Sequence, residues 1–387
     1  MRIAIDGRWI FPEMSGVGTY TTQLLRHLAQ ADSRNEYFVF FDNPAVRDRT
    51  VAEAGFRDAP NFIPCNLPCG VFSLRSQASL PFLLRKMKID VFHSPNYMIP
   101  LAAFPRHRRG GVKCVVTIHD VIPLKFPDHA PRSRKSRLFF LYRWIMAQVG
   151  ARADAVITVS NASREDTIRY LRIALPERRK VRTVYNGVSE RFHPAPAGSR
   201  PRPARRTLLY VGRADPYKNV EALVRAFAKV RDASSEPVAL RMVGPPDPRY
   251  PEAARLAAEL GLADAVEWTG CLSPDALVAV YQDADVLVHP SRYEGFGLQI
   301  VEAMACGTPV ICSNRGSLPE VAGDAALLFD PDDLAGLVER ILRVLGDPAL
   351  AAGMAQRGLR QAAKFTWSRA ASETIKVYED TGSDGHG

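Results

Sequence analysis

What this chain of 387 residues lacks narrows the choices first. No run of 18 or more apolar residues occurs, so no membrane-spanning helix is expected. The opening Met1-Arg-Ile-Ala-Ile-Asp6 carries a charge inside a strand-like run and lacks the apolar block of a secretory signal. Six cysteines, at 65, 69, 114, 271, 306 and 312, are scattered, several inside apolar runs, with neither disulfide nor metal-ligand spacing. A reduced, cytoplasmic setting is the expectation. No recognised nucleic-acid motif is present, which sets nucleic acid aside as a partner.

What is present is ordinary in amount and uneven in placement. Hydrophobic residues make up 47% and charged residues 24%, as in soluble globular proteins, and the length accommodates two domains with separate cores. The net charge is +10, but residues 1–187 hold 29 Lys+Arg against 15 Asp+Glu, whereas residues 188–387 hold 22 against 26. The N-terminal half is therefore built to face something anionic, such as a membrane surface or a phosphorylated acceptor.

The first half alternates strand-like and helix-like segments. Candidate strands are 2–6, 37–41, 90–93, 114–118, 155–159 and 181–185, with a helix at 19–31 that places Leu24, Leu25 and Leu28 on one face. Residues 188–206 turn rich in Pro, Gly and Arg and read as a linker. The alternation then resumes with candidate strands 207–212, 238–243, 265–269, 284–288, 309–312 and 325–329. Helices are expected at 219–231, 298–306, 333–345, 348–364 and 367–380, and a disordered tail at 381–387. Apolar strands alternating with helices predict an α/β fold of two doubly wound parallel sheets, 1–187 and 207–365, facing a cleft. Ligands are expected beyond the carboxyl ends of the strands.

The chain is organised around His289-Pro-Ser-Arg-Tyr-Glu-Gly-Phe-Gly-Leu-Gln-Ile-Val-Glu-Ala-Met-Ala-Cys306. The pattern is strand, glycine loop, helix, strand. Gly295 and Gly297 allow close backbone approach, and the helix start at Leu298 offers unpaired N–H groups to an anion. Glu294 and Glu302 place two carboxylates near one crevice, where sugar hydroxyls can donate to them. Gly212-Arg-Ala-Asp-Pro-Tyr-Lys-Asn219 lies on another strand-end loop. There Arg213 and Lys218 can stabilise the charge that develops on a departing diphosphate.

Together these stretches resemble glycosyltransferase family 4, the retaining, GT-B-fold glycosyl transferases group 1. The resemblance spans roughly residues 2–380. Its Glu-x7-Glu signature stands here as Glu294-Gly-Phe-Gly-Leu-Gln-Ile-Val-Glu302, and its Gly-Arg-(5)-Lys-Asn pattern as Gly212 to Asn219. The resemblance implies that the N-terminal domain takes the acceptor and the C-terminal domain a nucleoside-diphosphate sugar, with the last helix, 366–380, crossing back to the N-terminal domain. It implies donor-phosphate contacts from Arg213, Lys218, Gly297 and Leu298, and from Gly16 and Gly18 of the loop Ser15-Gly-Val-Gly-Thr-Tyr20. Glu294, Gly295, Phe296 and Gly297 are implied for the hexose, Glu302 for the ribose, and Gly244 with Cys271 and Leu272 for the base, near Gly244–Pro246. His119, at the end of a strand, takes the role of positioning and polarising the transferred sugar; together with Glu294 it forms the implied catalytic pair. His93 reads as supporting architecture and Asn186-Gly187 as a cleft or hinge element.

Asp283-Ala-Asp285 mimics an Asp-x-Asp metal motif but sits where a helix ends and a strand starts, and reads as structural. With Arg213 and Lys218 supplying charge, no metal is expected. A glycosidase would need an acid and a nucleophile flanking the bond, whereas Glu294 and Glu302 lie on one side of the expected donor. The resemblance implies retention by same-face substitution, the departing phosphate taking the acceptor proton. The segment His119-Asp-Val-Ile-Pro123 and the Gly7-Arg-Trp9 opening look most like the mannosyltransferase branch, which makes GDP-mannose the first expected donor and a UDP-hexose the second. The acceptor is expected to be a polysaccharide or lipid-linked saccharide. The basic, aromatic stretch Pro131–Met146, with Arg132, Arg134, Lys135 and Arg137, marks an acceptor or membrane side, and peripheral association with the inner face of the membrane goes with it. A binding protein with this fold and no turnover is the rival of a different class.

Overall fold

The computed structural model describes residues 1–13, 15–106, 111–127, 139–196, 198, 205–245 and 247–383. They form two units. The described residues of one fall within Met1–Lys125, Ser133–Gly187 and Trp367–Gly387, and those of the other within Phe126–Arg132 and Val188–Thr366. Arg132, Arg134, Lys135 and Arg137 lie outside the described residues, as do Pro246 and residues 197 and 199–204 of the expected linker.

The first unit is a seven-stranded sheet ordered β3-β2-β1-β4-β5-β6-β7, and its strand pairs are all parallel. Its strands are β1 (Arg2–Asp6), β2 (Glu36–Phe41), β3 (Phe62–Asn66), β4 (Val91–Ser94), β5 (Lys113–Ile118), β6 (Ala155–Thr158) and β7 (Val181–Thr183). The inner strands bury nearly every side chain, because helices cover both faces of a parallel sheet. Strand β3 is absent from the expected set. It is an edge strand with Pro64 inside it and mostly exposed positions, so it carries neither the continuous apolar run of a buried strand nor an unbroken alternation. The helix Trp367–Ser383 also belongs to this unit, packing on the helix Gly16–Ala31 and on β4, β5 and β6. The expected disordered tail is corrected here: Thr381 is buried and the helix continues through Ser383, while 384–387 lie outside the described residues.

The second unit has a six-stranded parallel sheet ordered β10-β9-β8-β11-β12-β13. The strands are β8 (Arg206–Val211), β9 (Val238–Val243), β10 (Val266–Gly270), β11 (Val286–His289), β12 (Val310–Ser313) and β13 (Ala326–Phe329). The helix Val220–Ala233 buries Val220, Leu223, Val224, Phe227 and Val230 against this sheet, the 3.6-residue stripe its sequence carries. In each sheet the first strand of the unit lies between the second and the fourth. Strand order therefore reverses at β1/β4 and at β8/β11, and the loops leaving those neighbouring strands diverge to opposite faces and leave a crevice at the carboxyl edge.

Candidate active site

In the second unit the reversal point brings two distant loops together. The loop after β8 ends in the single turn Pro216–Lys218, and the loop after β11 carries Glu294. Lys218 Nζ donates to both carboxylate oxygens of Glu294, at 2.7 and 2.9 Å. Both side chains are about nine-tenths buried. His289, fully buried at the end of β11, has Nε2 2.8 Å from Glu294 Oε1 and 3.2 Å from Ser291 Oγ. A carboxylate only accepts, so Nε2 carries the hydrogen. Ser317 Oγ donates to the Glu294 carbonyl at 3.0 Å. Burial alone would raise the Glu294 pKa, but the Lys218 ammonium and the His289 hydrogen bond reverse it, holding the carboxyl well below its ordinary range. Glu294 is an anion fixed in place.

Two glycines set the loop paths. Gly297 has φ +89, and a Cβ there would stand 2.7 Å from Leu318 Cδ2; it turns the chain into the helix Leu298–Ala305. Gly244, after β9, lets the backbone lie against the loop after β8: an added Cβ would be 2.0 Å from the Gly212 carbonyl oxygen. Gly244→Ala should therefore displace the Gly212–Arg213 backbone, and backbone cannot give way as a side-chain tip does. Destabilisation of several kcal/mol is expected (about 3 or more), together with weakened nucleotide binding; a melting temperature within 2 °C of wild type would contradict it.

The remaining expected donor residues are placed as follows. Arg213, half-exposed, lies 3.0 Å from Asp215 and 3.6 Å from Asp247. Glu302 accepts from Tyr281 OH at 2.8 Å, and its pKa is raised by burial to about 7, against the opposing effect of that bond. Cys271 is exposed and Leu272 half-buried, next to the Gly244 N–H bond to the Gly270 carbonyl. The Phe296 ring is buried against Phe365, centroids 5.5 Å apart. Asp285 accepts from the Thr207 N–H at 2.7 Å and pairs with Arg206, tying the starts of β8 and β11, and Asp283, at the end of the helix Pro274–Asp283, pairs with Arg241 of β9.

In the first unit, His119 follows β5. Its Nε2 donates to the Pro95 carbonyl at 2.9 Å, which leaves Nδ1 as an acceptor. Burial lowers its pKa to about 4 against that bond, and the edge of Tyr20 meets its ring at 4.6 Å. His93 is fully buried on β4. Its Nδ1 lies 2.6 Å from Tyr378 OH and its Nε2 2.9 Å from Thr117 Oγ1, which lies 3.1 Å from Tyr20 OH. A chain of hydrogen bonds thus connects the last helix to the residue that abuts His119. At the helix Gly16–Ala31, the Gly18 N–H is taken by the Ser15 hydroxyl cap at 3.0 Å, and Gly16 is open. Arg8 of the Gly7-Arg-Trp9 opening is buried: it pairs with Asp6 at 2.7 and 2.8 Å and donates to Cys69 O and Ser76 Oγ, tying the loops after β1 and β3 together.

Burial lowers the His93 pKa to about 3, with the neighbouring His119 adding to the shift. A histidine whose folded pKa is depressed contributes stability above its unfolded value, lost as pH falls from about 6.5 toward the folded value. At pH 5 His93 alone should cost about 2 kcal/mol relative to pH 7. Urea unfolding of wild type and His93→Gln at both pH values measures this; an equal pH slope in the two proteins would contradict it.

Solved structures share the whole fold. Sucrose-phosphate synthase from Thermosynechococcus elongatus is 24% identical with a TM-score of 0.76, covering 99% of both chains. Anabaena Alr3699/HepE, solved in complex with UDP-glucose, is 18% identical with a TM-score of 0.72, covering 98% of this chain and all of that one. Two parallel-sheet α/β units matching these neighbours have the GT-B fold. Residues 14–192 match the model of Glycosyltransferase Family 4 and residues 195–361 that of Glycosyl transferases group 1. O-antigen chain mannosyltransferase B of Escherichia coli is 30% identical over 95% of this chain and 96% of its own length. MMP alpha-(1->4)-mannosyltransferase of Mycolicibacterium hassiacum is 33% identical over 70% of this chain and 66% of its own. The chain belongs to glycosyltransferase family 4, on a mannosyltransferase-like branch.

Proposed function

We propose that the protein transfers mannose from GDP-mannose to a hydroxyl of a polysaccharide or lipid-linked saccharide, with retention of configuration and without a metal ion. The observation that carries the reading is the buried Lys218–Glu294–His289 cluster at the β8/β11 reversal point. It presents an ammonium and a fixed carboxylate side by side, the pair needed to hold a diphosphate and an adjacent sugar hydroxyl. When a donor binds, Lys218 and Arg213 turn to its phosphates, Glu294 accepts from the hexose while His289 keeps it oriented, and Glu302 takes the ribose hydroxyls. The bond from the anomeric carbon to the diphosphate oxygen breaks, the acceptor oxygen bonds to that carbon on the same face, and the acceptor proton leaves on the diphosphate. His119 accepts a sugar hydroxyl through Nδ1. The mannosyltransferase relatives favour mannose; the Anabaena structure with UDP-glucose makes a UDP-hexose the second reading.

The test is a set of donor assays in EDTA with GDP-mannose and UDP-glucose, the product anomer being read by NMR. Selective turnover of GDP-mannose to an α-linked product is expected. A β-linked product or an EDTA-sensitive rate overturns the mechanism, and selective use of UDP-glucose overturns the donor.

A further inference from the structure

Between the last helix and His119, the first unit holds a line of buried polar side chains that the transfer chemistry does not use. His93 lies on β4, Thr117 on β5, Tyr20 on the helix Gly16–Ala31 and Tyr378 on the helix Trp367–Ser383. His93, Thr117 and Tyr378 are fully buried and Tyr20 nearly so. Inner strands of a parallel sheet ordinarily carry apolar residues at such places, because a buried polar group costs free energy unless it is bonded.

The register explains how they meet. His93 stands opposite Val115, so Thr117 lies two residues along β5 on the same face, 2.9 Å from the ring at Nε2. Burial holds the His93 ring neutral, its pKa lowered to about 3, and a neutral ring has one hydrogen and one lone pair. Hydrogens along the line therefore run one way. Either Tyr378 donates to Nδ1 and Nε2 donates to Thr117, or both bonds reverse. A change at Tyr378 is felt at Thr117 for that reason, as bonds in such chains polarise one another.

Tyr20 carries the effect onward. Its hydroxyl is bonded to Thr117, and its ring edge meets His119, two residues further along, at 4.6 Å and 85°. Trp367 of the last helix closes on the same ring, centroids 5.8 Å apart. The hydrogen bond from Nε2 to the Pro95 carbonyl fixes one point of the His119 ring. The Tyr20 edge fixes its tilt.

We propose that Tyr378 is a positioning residue for the transfer, setting the tilt of the His119 ring through His93, Thr117 and Tyr20. Docking of the last helix thereby decides where the Nδ1 lone pair of His119 points. The kinetic consequence rests on the role proposed for His119, whereas the geometry of the ring does not.

Tyr378→Phe and Tyr20→Phe each remove one hydroxyl and keep the ring, so both test it with little change of packing. With the donor that the wild type turns over, kcat should fall about tenfold in each, less than the roughly hundredfold that a 1 Å misplacement costs. KM for the donor and GDP affinity should stay within about twofold. Placed on His119→Ala, Tyr378→Phe should lower kcat by less than about twofold, because the ring it aligns is gone. Nitrogen NMR of the histidine rings should show one Nε2–H state for His119 in the wild type and exchange-broadened His119 signals in Tyr378→Phe. An unchanged His119 spectrum in both hydroxyl variants overturns the inference. So does a tenfold loss repeated in full on His119→Ala, which marks a general structural defect. Undiminished kcat in His119→Ala counts against the role proposed for His119, and the spectrum alone then decides whether Tyr378 positions the ring.

Discussion

Lys218→Ala should cost the second unit about 3–5 kcal/mol and lower its melting temperature by roughly 10 °C. The reason is not the worth of the ion pair, since desolvation offsets much of the attraction between two buried charges. It is that the substitution strands Glu294, about nine-tenths buried, with only His289 to balance it. Carboxyl protonation relieves part of the strain, so the variant should recover stability as pH falls, opposite to wild type, whose Glu294 is held ionised. Adding Glu294→Gln removes the stranded charge and should restore most of the lost stability without restoring transfer. Turnover in both variants should fall by about 10²–10³, the usual loss for one fixed group stabilising developing charge. Differential scanning calorimetry and donor assays on the single and double variants separate the two effects. If the double variant is no more stable than Lys218→Ala, the stranded-charge account is wrong.

His119→Ala should lower kcat by about 10²–10³ while leaving GDP affinity within about twofold, because a nucleotide without a sugar makes no use of the ring. The structure restricts the kind of help His119 can give. With a pKa lowered to about 4 and Nε2 committed to the Pro95 carbonyl, the ring is neutral at working pH and offers a lone pair, not a proton. Kcat should then show no His119 titration above about pH 5. His119→Asn, which can present a carbonyl oxygen, should recover part of the loss. Equal weakening of GDP binding in His119→Ala would assign the residue a structural role instead.

Why these residues were legible, and others not, follows from the range of the physics involved. The parallel α/β class showed in the sequence because buried strands such as β11 are short apolar runs between turn residues. Helices such as Val220–Ala233 likewise carry their buried stripe locally. Strand β3 did not show, since an edge strand with a proline has no such signature. The loops bearing Lys218 and Glu294 could each be read as sites, but their direct bond joins residues 76 apart and depends on β8 lying beside β11, a property of strand order. His289 meets Glu294 only five residues along the same loop, whereas Ser317 reaches it from the segment after β12, which lies on the other side of β11. Tyr378 is 285 residues from the His93 it bonds, and Arg8 meets Cys69 and Ser76 across two loops; no local pattern carries such partners.

The most direct test of the central claim is GDP binding by calorimetric titration in EDTA, comparing wild type with Lys218→Ala/Glu294→Gln, in which no buried charge is stranded. The account predicts binding by wild type and a loss of about a hundredfold in the double variant, or roughly 2.7 kcal/mol. Equal affinity in the two proteins would mean that the Lys218–Glu294 pair holds the fold together and the donor diphosphate lies elsewhere.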